Sequence, residues 1–214
     1  MSNNKQPPKK TTYDRIKRGV DVAQTAVKAY TLAKSLALLI NVEKKKLDTQ
    51  ITISPSNTSP SITHLTAIAQ SNALNGRAGN SIKLNYLSIK ALIQYAAGSV
   101  GTLTSMYVIQ DTQQVSDTAP GVYDIFESAA GSLGVLNAAN VGRFKILYKR
   151  KIVQDGMNAR SVETYKKMKF HVRYNGANTA DIQKNGLYLV VLSSQPTTAS
   201  AVLQIHNRLA YIDN

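Results

Sequence analysis

The chain has 214 residues, no cysteine and no tryptophan, and 26 Lys+Arg against 12 Asp+Glu for a formal net charge of +14. This length supports one sizeable core plus an arm, or two small domains. Without cysteine, disulfides, thiolate zinc sites and a Cys nucleophile are excluded. The cationic surplus favours a polyanionic partner, most often nucleic acid and sometimes an acidic membrane surface.

The charge is concentrated at one end. Residues 1–46 hold 11 basic and 3 acidic residues, a net of +8, whereas residues 47–214 carry 15 and 9, a net of +6 over a far longer span. Basic and polar residues interrupt the N-terminus throughout, so it does not read as a secretory signal. No run approaches the roughly 18 apolar residues that would span a bilayer.

Met1–Thr12 contains Lys5, Lys9, Lys10 and Pro7-Pro8 and nothing to bury, the pattern of a disordered basic tail. From Tyr13 to about Val42 the composition is helical, with only Gly19 as a weak point. Ile16, Val20, Ala23, Val27 and Tyr30 form one stripe at helical spacing, with Arg15, Lys17, Arg18, Lys28 and Lys34 mostly off it. Leu36–Ile40 is apolar all round, and Lys44-Lys45-Lys46 is expected to close the helix with positive charge. Such a helix can dock on its own domain, lie on a membrane surface, or contact nucleic acid while self-associating along its stripe. The Ser/Thr/Pro-rich stretch Ile51–Pro60 marks the passage out of the arm, and the expected organisation is an arm over 1–47 and a folded domain over 48–214. Asn57-Thr58-Ser59 matches a glycosylation sequon and is read as incidental without a signal peptide.

Beyond residue 47 the chain reads as strands. A segment near Thr49–Ile53 and a strand over Ile62–Ala69 come first. In Ile82–Tyr95, Ile82, Leu84 and Tyr86 alternate with Lys83 and Asn85, and at Leu87 the phase slips by one residue. A one-residue slip turns every later side chain to the other face, so the strand must carry a bulge or bend between two sheets. Leu103–Asp111, Arg143–Val153, Lys166–Tyr174, Leu187–Ser193 and Ala201–Ile212 follow, separated by turn signals such as Asn175-Gly176 and Asn185-Gly186. Leu187–Leu192 is apolar on both parities, as in a strand covered on both faces. About eight strands with almost no helix point to a two-sheet antiparallel sandwich or barrel. Ile82, Leu84, Phe144, Ile146, Phe170, Val172, Leu189 and Val191 are the expected core. Thr112–Gly142 is a long connection whose ionised residues are Asp117, Asp124 and Glu127, and its low charge suggests a subunit interface.

Several short blocks resemble a known family. Ile68-Ala69-Gln70 followed by Asn75-Gly76-Arg77-Ala78-Gly79-Asn80-Ser81-Ile82-Lys83 resembles the opening of single jelly-roll capsid proteins of very small viruses. That family includes satellite tobacco necrosis virus coat protein and the capsid proteins of circular single-stranded DNA viruses. Arg143-Phe144-Lys145-Ile146-Leu147, Val172-Arg173-Tyr174-Asn175-Gly176 and Arg208-Leu209-Ala210-Tyr211-Ile212-Asp213-Asn214 resemble later blocks in the same order, over about residues 62–214. Ser71 stands where many relatives have glycine. Lys149 follows Leu147-Tyr148 where an aspartate is common, so a structural calcium site known among relatives is not carried over, and no cofactor is expected.

The resemblance implies an all-β, eight-stranded antiparallel jelly-roll sandwich with an N-terminal basic amphipathic α-helical arm. It further implies a capsid protein of the virion, assembled inside the host cell as a homo-oligomer of about 60 subunits around single-stranded RNA or DNA. The arm residues expected to contact phosphate are Lys5, Lys9, Lys10, Arg15, Lys17, Arg18, Lys28 and Lys34. Neither a small-molecule substrate nor stable membrane association is expected. The alternative is a non-viral, lectin-like jelly-roll module whose helix binds nucleic acid or anionic lipid.

Enzymatic chemistry finds no support in the residues. His64, His171 and His206 are not at metal-ligand spacing, and no nucleophile elbow, phosphate loop or dinucleotide fingerprint occurs. Two basic rows stand out instead: Lys167, Lys169, His171 and Arg173, and Arg143, Lys145, Lys149 and Lys151. Each is either a solvated sheet face or a wall facing nucleic acid or an acidic neighbour.

Overall fold

Strand alternation organises the molecule around β3 (Ser81–Gln94), whose inward residues Ile82, Leu84, Leu87, Ile89, Ala91 and Ile93 are all buried. The computed structural model describes residues 12–39, 43–94, 101–115, 117–127, 134–154, 159–195 and 201–213. The chain divides into two compact units, Met1–Val42 and Glu43–Asn214. The first contains α1 (Thr12–Leu39).

In the second unit the strands are β1 (Lys44–Ile53), β2 (Ser61–His64), β3, β4 (Thr102–Asp111), β5 (Phe144–Gln154), β6 (Arg160–Lys167), β7 (His171–Tyr174), β8 (Ile182–Lys184), β9 (Gly186–Ser193) and β10 (Val202–Asp213). One sheet has the order β1-β10-β3-β7-β8, with β6 also on β3, and the other has β2-β9-β4-β5. Every ladder is antiparallel. β6 and β7 run along the same strand and act as one interrupted element. With the short β8 set aside, the pairings are nested: β1 with β10, β2 with β9, β3 with the β6–β7 element, and β4 with β5 at the centre. A long hairpin rolled over itself has this pattern. The fold is a jelly roll.

The main core lies between the sheets and includes Leu87, Ile89, Met106, Val108, Leu189, Val191, Ile205 and Tyr211. A second apolar layer covers the far face of the four-stranded sheet. There Tyr107, Ile109, Tyr188, Val190 and Leu192 meet Ile125 and Phe126 from the β4–β5 connection. This explains β9, in which every residue is buried, as its two apolar parities imply. The cover contains α2 (Val122–Ile125) and a bridge between Phe126 and Leu136.

Several expectations are corrected. Lys44-Lys45-Lys46 does not close a helix: β1 starts at Lys44 and pairs with β10 along its whole length. Lys45 points inward, opposite Tyr211, where its Nζ lies 3.1 Å from Asp213 and 3.2 Å from Glu43. β2 ends at His64, and Leu65–Ala69 is not strand. β6 begins at Arg160, well before Lys166, and β8 was not anticipated.

The slip in β3 is a bulge, as expected, but it falls at Asn85. Ala210 pairs with Tyr86 and Tyr211 with Leu84, so Tyr86 faces outward rather than with Leu84. A second bulge in β5, where Val108 faces Tyr148 and Ile109 faces Ile146, leaves Leu147 as the extra residue. Ile146 consequently lies on the outer face and is 36% exposed, not core. Phe170, just outside β7, is only partly buried. Ile82, Leu84, Phe144, Val172, Leu189 and Val191 are buried as expected.

Three of the blocks quoted for the resemblance, at Ile68–Lys83, Val172–Gly176 and Arg208–Asn214, converge on Arg77 and its loop. Arg77 is fully buried, and its guanidinium donates to the carbonyls of Ile68 (2.9 Å), Gly79 (2.7 Å) and Gly176 and to Asn80 Oδ1 (3.3 Å). It also lies 4.0 Å from the centroid of the Tyr174 ring. The Tyr174 hydroxyl donates to Thr66 O and that of Tyr211 to Gly76 O, while Asp213 Oδ2 accepts from the Ala78 amide. Segments remote in sequence are thus tied to one loop by a single cation and two phenols.

His64, at the end of β2, stacks on Tyr188 with ring centroids 4.8 Å apart. Burial pushes its imidazole down to about 4 from the ordinary 6.5. A depressed folded pKa means that the unfolded chain takes the proton first. The stability contributed by neutral His64 is complete above about pH 6.5 and is lost as pH falls towards 4, on the order of 3 kcal/mol at most. His64→Gln should flatten the decline of unfolding free energy across that window, as read by urea titrations at successive pH values. An identical decline in the variant would assign it to other groups.

Candidate nucleic-acid interface

The arm forms a helix because Ala, Leu and Lys are its commonest helix formers and only Gly19 interrupts. Thr25 and Thr31 return their hydroxyls to the helix carbonyls of Asp21 and Val27. Lys17 and Lys28 are exposed. Arg15, Arg18 and Lys34 lie on the helix, but their side chains, like Lys5, Lys9 and Lys10, lie outside the described residues. On the stripe, Val20, Val27 and Tyr30 are 49%, 63% and 70% exposed, so this apolar face is uncovered. Among the described residues no helix is long and apolar enough to cross a membrane.

A second basic surface emerges from strand pairing. Outward residues of the six-stranded sheet include Lys44 and Lys46 on β1, Lys83 and Lys90 on β3, Lys167 on β6, His171 and Arg173 on β7, Lys184 on β8, and His206 and Arg208 on β10. The register sets Lys83 opposite His171, Lys90 opposite His206, and Arg173 opposite Lys184. Two carboxylates share this face. Asp48 pairs with Arg208 at 2.7 Å and Glu163 with Lys90 at 3.2 Å, both pairs well exposed. The Arg208 hydrogen bonds hold the Asp48 carboxyl below the usual carboxylate range. Exposed pairs of this kind add little stability, because solvent screens them. Lys83, Lys167, Arg173 and Lys184 make no ion pair among the described residues, so the face keeps a cationic excess. It also carries a shallow depression lined by Asp48, Gln50, Ser88, Lys90, His206 and Arg208.

The row Lys167, Lys169, His171 and Arg173 is exposed along its length, opposite Met168, Phe170, Val172 and Tyr174. The other expected row is broken. Arg143 forms a two-point ion pair with fully buried Asp111, Nε to Oδ1 at 2.9 Å and Nη2 to Oδ2 at 2.6 Å. This clamp closes the neck of the β4–β5 connection. The bulge at Leu147 then puts Lys149 and Lys151, opposite Tyr107 and Ser105, on the same face as Phe144 and Ile146, and Lys145 on the other parity. Sequence spacing missed the sheet-wide surface because its cations come from six strands; the signal available was their shared polar parity, strand by strand. Among the described residues no group of three or more His, Asp or Glu could hold a metal ion.

No family model and no curated protein matches the chain. Solved structures similar to it come from viruses. The cryo-EM structure of Broad Bean Stain Virus is 10% identical, with 79% of this chain and 89% of that chain covered and a TM-score of 0.40. Desmodium yellow mottle tymovirus is 13% identical, with 79% and 87% covered and a TM-score of 0.34. The crystal structure of a 60-mer BFDV capsid protein is 12% identical, with 80% and 92% covered and a TM-score of 0.29. The nested strand pairing defines the fold independently of these scores.

Proposed function

We propose that the chain is a viral capsid protein whose jelly roll builds a small icosahedral shell of about 60 copies and whose arm packages single-stranded RNA or DNA. The observation that carries this reading is the union of a nested jelly roll with a separate, exposed basic helix at one end of the chain. The role is structural rather than enzymatic, and the place of action is the virion, assembled within the host cell. Arm cations displace counterions from phosphates, which favours packaging without base specificity and makes it weaken as salt rises. Lys5, Lys9, Lys10, Arg15, Lys17, Arg18, Lys28 and Lys34 carry this contact. The stripe of Val20, Val27 and Tyr30 packs against other arms or the inner wall of the shell.

The test replaces those eight residues by glutamine and compares sedimentation and nucleic-acid-to-protein absorbance with the parent. The parent is expected to purify as megadalton particles containing nucleic acid. The variant should yield folded subunits with empty or few particles, and deletion of residues 1–12 should have a smaller effect. A parent that is only a small oligomer would overturn the capsid reading. Unchanged encapsidation in the eightfold variant would remove the packaging role from the arm.

A further inference from the structure

Tyr86 on β3, partly buried, and Tyr165 on β6, exposed, form an aromatic pair on the outer face of the basic sheet. Their ring centroids are 5.1 Å apart with planes inclined by 32°, and Tyr165 is 58% exposed. The bulge at Asn85 makes the pair. In regular alternation through Asn85, Tyr86 would share the inward parity of Ile82 and Leu84; the bulge shifts the phase, and the ring turns outward, opposite Lys167 on β6. Bulges commonly re-aim a side chain in this way. A cross-strand aromatic pair contributes to sheet stability, but that contribution does not require a ring more than half open to water.

The surroundings have the chemistry of a polyanion site. Lys167 stands in register beside the rings, Lys83 lies three residues before Tyr86 on the same face, and neither makes an ion pair among the described residues. We infer that Tyr86 and Tyr165, with Lys167 and Lys83, form a stacking subsite for single-stranded nucleic acid on the six-stranded sheet, distinct from the arm. A base stacks on the open face of Tyr165, and the flanking ammonium groups hold the adjoining phosphates. Every base has a π face, so such stacking tolerates any sequence, and cationic grooves lined by aromatic rings bind single strands in this manner. The inference rests on the nucleic-acid half of the proposed function but uses none of the arm residues.

The experiment uses the full chain with the eightfold glutamine arm, on which Tyr165→Ala and Tyr165→Phe are placed. Each protein is titrated with a fluorescein-labelled thymidine oligonucleotide and with its abasic counterpart, which keeps the phosphates but offers nothing to stack. The arm variant is expected to retain measurable binding to the thymidine strand and to bind the abasic strand more weakly. Tyr165→Ala should weaken thymidine-strand binding by about 5- to 100-fold, while Tyr165→Phe preserves it. Equal affinity for both strands, or no effect of Tyr165→Ala, would overturn the subsite. So would complete loss of binding in the arm variant, even though the packaging role of the arm would then stand. Failure of the unmodified protein to bind either strand would instead sink the nucleic-acid reading as a whole. If Tyr165→Ala abolished particle formation without changing oligonucleotide affinity, the face would be a contact between copies and the subsite would be rejected.

Discussion

Replacing Arg77 by methionine should destabilise the jelly roll by about 3–5 kcal/mol, because several acceptors lose their shared buried donor at once. The side chain is fully buried and donates to three backbone carbonyls and Asn80. Methionine keeps the stem volume but donates nothing, so carbonyls of Ile68, Gly79 and Gly176 lose partners, at about 1–3 kcal/mol for each group left unsatisfied. Arg77→Lys should fare little better, because a single ammonium cannot reach acceptors on opposite sides of the loop as the planar fork does. Tyr174 loses the cation above its ring in the methionine variant. The measurement is the urea unfolding free energy of each protein. A Lys variant within about 0.5 kcal/mol of the parent would show that the positive charge, not the fork, is what this loop requires.

The second large effect is expected in the β4–β5 connection. Phe126 is fully buried and packs on Tyr107 with centroids 5.0 Å apart, within the layer that covers β9. Phe126→Ala should cost about 3–5 kcal/mol by transfer and cavity terms together. Gly134 explains why the cover fits so closely. Its φ is +48°, and a Cβ there would stand 2.6 Å from the Tyr107 hydroxyl. Shortening the connection would therefore uncover Tyr107, Ile109, Tyr188 and Val190 and destabilise the barrel. The outer residues Tyr123 and Val135 are 66% and 63% exposed. Tyr123→Ser with Val135→Ser should leave unfolding within about 0.5 kcal/mol of the parent while reducing particle yield, if this surface meets neighbouring subunits. Normal particles from the double variant would place the subunit contacts elsewhere, and a stable Phe126→Ala protein would show that the cover is dispensable.

What the sequence determined by itself was periodic and local. Period-two alternation identified β3 and β10, because side chains of a strand alternate whatever the strand pairs with. The double apolar parity of Leu187–Leu192 announced cover on both faces. The concentration of cations before residue 47 suggested a basic arm ahead of a folded domain, although the compact units part earlier, between Val42 and Glu43. The phase slip near Leu87 announced either a bulge or a bend between two sheets, and the register with β10 shows a bulge.

Only tertiary structure decided what depends on partners. The pattern could not say which element covers the second face of β9, because Ile125 and Phe126 lie in a connection with no period of its own. Lys44-Lys45-Lys46 reads locally as the charged end of a helix, yet pairing with β10 recruits it into β1 and buries Lys45 against Asp213. The bulge in β3 could be placed before or after Tyr86 on parity alone; the register with β10 put it at Asn85 and turned that ring outward. Cations that are isolated on six strands become one surface only when hydrogen bonding sets those strands side by side. Their proximity is a property of the ladder order, which no local periodicity encodes.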